Sequence, residues 1–140
     1  MGQQVSGSGD VRLTASGYEA IRRASETYRE ELVVRLCGEV GLRAAEVTRV
    51  RPADVTERAV GGRTRYFLGV DESDGRREAY LPGAVAHDFF QYVRSRDVAD
   101  DERVIPVTPR RVQMLVSDVA DRAAEATGHH DLAAVTPTTL

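Results

Sequence analysis

At 140 residues the chain is close to the size of one domain, long enough to bury roughly 68% of its unfolded surface without disulfides or metal. A 41% hydrophobic and 29% charged composition with a net charge of -3 excludes a disordered chain and gives no global pull toward nucleic acid. No apolar run reaches the roughly 18 residues of a membrane helix, Cys37 has no disulfide partner, and the opening MGQQVSGSGD lacks a secretory signal, so the expected compartment is the cytoplasm.

Residues 1–12 are polar and rich in Gly and Ser, and read as a flexible N-terminal tail ahead of one domain over 13–140. Ser16 and Glu19 fit a capping box that opens a helix through Ile21, Ala24 and Tyr28. In YREELVVRLCGEVG, the residues Leu32, Val33, Leu36, Cys37 and Val40 fall on one helical face, with Gly41 as a left-handed stop. A short helix should run from about Arg43 to Val50 and end at Pro52.

The period then changes to two. A meander of three antiparallel strands is expected at Val55–Val60, at RTRYFLGV and at RREAYL, with Gly61-Gly62 in a tight hairpin and DESDG as the second loop. Pro82 opens a helix with Val85, Phe89, Phe90 and Val93 inward, followed by the charged RDVADDER and the apolar VIPV. The clearest helix starts with Thr108 as N-cap and Pro109 at its first position. Its apolar residues Val112, Leu115, Val116, Val119 and Ala123 share one face, and Gly128 stops it. Thr136-Pro137 repeats the start signal, but the given sequence stops at Leu140, so a longer parent or a truncated descendant is expected. The fold class read from this order is α+β, mostly helical with a small three-stranded antiparallel sheet.

The stretch LVVRLCGEVGLRAAEVTRVRPADV resembles the segment of tyrosine recombinases (phage integrases) that carries their first catalytic arginine. The counterpart here is Val40-Gly41-Leu42-Arg43, then Glu46 and Asp54. The meander, the helix after Pro82, the Thr108 helix and TPTTL follow in the family's order, so the resemblance spans about residues 28–140. It implies the front of a recombinase catalytic domain, in which arginines and a lysine hold the scissile phosphate while a tyrosine attacks it.

Within that resemblance Arg43 matches the first arginine, and Arg77, beside Arg76, stands nearest the lysine position. Arginine keeps the charge but does not surrender a proton as lysine does. The histidine of the second box aligns with Thr138, and the second arginine would fall just after Leu140. None of Tyr18, Tyr28, Tyr66, Tyr80 and Tyr92 matches the nucleophile. This polypeptide is therefore expected not to be an enzyme by itself.

RPADV, EAYLP and RRVQMLVSDVADRAA further resemble the N-terminal module of haloarchaeal regulators of the bacterio-opsin activator type. The composition agrees, since all 19 basic residues are Arg and none is Lys. The expected function is a non-catalytic integrase-like module, a DNA-binding or interaction domain of a transcriptional regulator. The alternative is the N-terminal fragment of an active recombinase that breaks and rejoins DNA through a phosphotyrosine.

Arg43, Arg49, Arg63, Arg65, Arg76 and Arg77 are the candidate DNA contacts. Residues 43–65 hold six Arg against three acids, but 71–102 hold nine acids against four Arg, so binding should be one-sided, weak and salt-sensitive. Further domains or protein partners are also expected; no membrane, cofactor or metal is.

Each feature has a plain structural reading too. Arg43 and Glu46 could form an i, i+3 salt bridge worth about 0.2–0.5 kcal/mol. Arg76-Arg77 could be a solvated hairpin pair, and Cys37 a small core residue. His129-His130-Asp131 lacks a third ring or thiolate donor at metal-site spacing. His87 and Asp88 read as surface.

Overall fold

The computed structural model describes residues 13–72 and 74–140; the expected tail over 1–12 lies outside the described residues. The architecture is α+β: helices α1 (Ala15–Arg23), α2 (Tyr28–Gly38), α3 (Ala44–Val47), α4 (Gly83–Arg96) and α5 (Pro109–Thr127) surround a sheet of β1 (Val55–Val60), β2 (Arg63–Glu72) and β3 (Gly75–Leu81).

Hydroxyl caps set the starts of α1, α2 and α5. Thr14, not Ser16, caps α1 by accepting the Gly17 N–H at 3.0 Å. Glu19 is thereby left to pair with Arg22 at 2.6 Å and Arg23 at 3.1 Å instead of closing a capping box. Thr27 caps α2 through the Glu30 N–H. Close to its end, Gly38 lies where a Cβ would collide with the Tyr18 ring, whose hydroxyl donates to Glu39 at 2.7 Å.

The short helix is shorter than its sequence suggests. α3 stops at Val47, and the Thr48 hydroxyl that follows donates back to the Ala45 carbonyl at 2.8 Å. Beyond it Val50 is buried in the core, and its carbonyl accepts the Val104 N–H at 2.8 Å. That pairing carries VIPV into the core, where Val104 and Ile105 are buried.

In the sheet, order β1-β2-β3, both pairings are antiparallel. The Gly61-Gly62 hairpin has φ of 59° and 79°, a conformation that side-chain-bearing residues adopt only with strain. The second loop is tighter than DESDG, since Asp71 pairs with Arg76 and Glu72 with Gly75 in the ladder. Alternation turns Leu68, Val70 and Leu81 inward and Arg58, Arg65, Phe67 and Tyr80 outward.

The inner face of α4 is rotated slightly from expectation. Val85, Ala86, Phe89 and Tyr92 are buried, while Phe90 and Val93 are half-buried. Phe90 instead meets Tyr66 of β2 edge-on, with ring centroids 5.5 Å apart. The first core cluster joins α2, α3, the sheet, α4 and the start of α5. A second one packs Ile21 and Val34 against Val119, Ala120 and Ala123 of α5, with Leu132 and Val135 beneath. Thr108 caps α5 and Gly128, at φ 76°, ends it. Among the described residues no helix is long and apolar enough to cross a membrane.

Candidate functional site

The most distinctive surface begins at α3. Buried Leu42 anchors the approach, and extended Arg43 leads into the helix with its side chain exposed. The Arg43 N–H donates to the Glu46 carboxylate at 2.8 Å. No Arg43–Glu46 salt bridge forms, because the carboxylate is taken from the other side. The Arg77 guanidinium grips it with two hydrogen bonds of 2.6 and 3.1 Å, and Arg77 also lies 3.6 Å from Glu72.

Glu46 is only 5% exposed, so its charge is sustained by these donors. The Arg77 hydrogen bonds hold its carboxyl below the usual carboxylate range, against the opposing effect of burial. The contribution to stability is therefore complete above the unfolded glutamate value of about 4.3. It is lost as pH falls through the lowered folded value. Urea titrations at descending pH should show this loss, and the Glu46→Gln variant should lack that component.

Arg43 forms one wall of a groove of about 830 Å³. Arg110, Gln113 and Ser117 of α5 line the opposite wall, and Thr136 and Thr138 line the end. Two guanidinium groups therefore face a space into which no carboxylate projects among the described residues. The first turn of α5 adds the positive end of a 19-residue helix. Thr136 is held as a cap: its N–H donates to Thr139 Oγ1 at 2.8 Å, and its carbonyl accepts the Leu140 N–H at 3.1 Å. The local field is positive on a chain whose net charge is -3.

The sequence's candidate set is divided among several places. Arg43 alone of it lines this groove. Arg49 is exposed but bends back to the Ala45 carbonyl at 3.1 Å. Strand alternation sends Arg63, Arg65 and Arg76 to the outer face of the sheet and Arg77 to the inner face. Arg76 is clasped by Asp54 at 3.0 Å and Asp71 at 2.8 Å, so it is not a bare hairpin cation.

Arg110 was not among the candidates. Its signal is its spacing with Gln113, Met114 and Ser117, the exposed face opposite Val112 and Val116 of the same helix. Cys37 is buried, and burial pushes its thiol up to about 12, as suits a core residue. Among the described residues no group of His, Cys, Asp and Glu is arranged to hold a metal.

Comparison with solved structures finds XerA recombinase at a TM-score of 0.73 and 16% identity, over 93% of this chain. The chain spans 47% of the length of that structure. No protein-family profile matches the chain, and no curated protein sequence does either. The fold is thus recombinase-like.

Proposed function

We propose that this chain is an integrase-like DNA-contacting module that holds the phosphate backbone through Arg43 and Arg110 and does not break it. The observation that carries this reading is the groove with two unopposed guanidinium groups. Guanidinium forks match phosphate oxygens with paired hydrogen bonds. Glu46, the nearest buried acid, is already neutralised by Arg77 and does not repel a phosphate there. The recombinase-like fold supports the choice of DNA as partner. Within a larger protein, the same module would serve as the DNA-contacting or interaction domain of a transcriptional regulator.

The groove's own chemistry suits holding a phosphate rather than cleaving its ester. No tyrosine lines it among the described residues. The Tyr18 hydroxyl is committed to Glu39, Tyr92 accepts from Arg29 at 2.9 Å, and Tyr80 stands on the outer sheet face. Burial followed by the Glu39 contact pushes the Tyr18 phenol up, away from the phenolate a nucleophile needs. Arg77, which the sequence resemblance sets nearest the family's lysine, is raised by its bond to Glu46 and so keeps its proton.

A duplex titration tests the reading. Binding should fall at the non-specific end, about 10⁻⁴ to 10⁻⁶ M. Two phosphate contacts predict a salt slope of about -1.8, and Arg43→Ala or Arg110→Ala should each reduce it by about 0.9. Incubation with nicked or supercoiled DNA should leave no covalent protein–DNA adduct on a denaturing gel. Binding that ignores salt and both substitutions, or an adduct, would overturn the reading.

A further inference from the structure

The outer face of the sheet carries a second arrangement, separate from the groove. Arg58 of β1 lies across the Phe67 ring of β2, its guanidinium carbon 3.9 Å from the ring centroid, and pairs with Glu78 of β3. Phe67 meets Tyr80 edge-on at 5.8 Å. Arg65 donates to the Tyr80 hydroxyl at 3.0 Å and stands 6.0 Å from that ring. Covering Phe67 accounts for Arg58, but Tyr80 remains 46% exposed beside it.

The charge on this face is uneven. Its carboxylates Asp71 and Glu78 are held by Arg76 and Arg58. Arg63 and Arg65 have no carboxylate partner among the described residues. The face therefore joins an open aromatic ring and a stacked guanidinium plane to two unbalanced cations. Aromatic rings and arginine planes accept unpaired bases by stacking, while neighbouring cations track the phosphates. A duplex hides its base faces and would use only the charges. An acidic peptide would use the charges and leave the stacking surfaces idle.

We propose that the outer sheet face, centred on Tyr80, Arg58 and Arg65, binds single-stranded nucleic acid by base stacking, independently of the Arg43 groove. The bases stack on the Tyr80 ring and on the outer side of the Arg58 guanidinium, and Arg63 and Arg65 contact the backbone.

The test is fluorescence anisotropy of the full chain with a labelled single-stranded oligothymidylate of about 12 nucleotides. An abasic oligomer of equal length and a polyglutamate peptide serve as the alternative probes. Tyr80→Ala should weaken oligothymidylate binding about tenfold, the effect of one stacked base, while Tyr80→Phe retains it. Arg65→Ala should weaken it as well, and Arg43→Ala should leave it unchanged while weakening duplex binding. Circular dichroism of each variant checks that the sheet is intact. Equal affinity for the abasic oligomer, preference for polyglutamate, no oligonucleotide binding, or loss of binding in Arg43→Ala would each overturn the proposal. Failure of duplex binding alone would count against the groove and leave this face standing.

Discussion

Replacing Arg77 by alanine should destabilise the fold by about 3 kcal/mol, more than replacing its partner Glu46. A buried charge pair broken from one side costs about 3–5 kcal/mol, because the remaining charge is stranded. In Arg77→Ala the stranded group is Glu46, 5% exposed and left with the Arg43 N–H as its donor among the described residues. Arg77 itself is about a third exposed, with side-chain accessibility of 32%, which places the cost at the lower end. In Glu46→Ala the guanidinium still has Glu72 at 3.6 Å and solvent beside it. That loss should be about 1–2 kcal/mol, a typical charge-assisted hydrogen bond with modest desolvation. Urea unfolding of the two variants at neutral pH measures the difference. Equal losses would mean that Glu46 is solvated in the native protein.

Phe89→Ala should cost about 3–5 kcal/mol, the usual penalty for emptying a buried phenylalanine site. Phe89 is fully buried on α4, in the cluster that also contains Leu36, Leu68 and Leu81. Its ring packs edge-on against Phe90, which in turn contacts Tyr66 of β2. The cavity would loosen the seam between α4 and the sheet, and so the inner face from which Arg77 reaches α3. Thermal unfolding should move down by about 10 °C or more. Phe89→Leu, which keeps much of the volume, should recover most of the loss. A shift of only a degree or two in Phe89→Ala would show that the seam collapses around the cavity.

Local chemistry was readable from the residues, and long-range partnership was not. Gly61-Gly62 announced the hairpin because its two positive φ angles suit glycine. Thr108, Pro109 and Gly128 announced both ends of α5 because cap and stop chemistry is local. The path of the chain after α3 was invisible, since Val50 meets Val104 more than fifty residues later. The second hairpin looked longer than it is because Asp71 and Glu72 are polar, yet Asp71 gains Arg76 across the ladder.

The site divides in the same way. GLRxxE marked Arg43 and Glu46, and both are central to the groove and its support. Strand alternation already separates Arg76 from Arg77 onto opposite faces. That Arg77 would meet Glu46, and that Arg110 would face Arg43, required the packing of α3 against the sheet and α5. Charge counting along the chain merged arginines that the fold keeps apart.

Amide chemical-shift mapping during titration with a short duplex tests the location of the DNA contact most directly. Shifts should cluster at Arg43–Ala45, Arg110–Ser117, Thr136 and Thr138, weaken with added salt and be reduced in Arg43→Ala. Shifts confined to α1 and α4, or a pattern unchanged in Arg43→Ala, would contradict it.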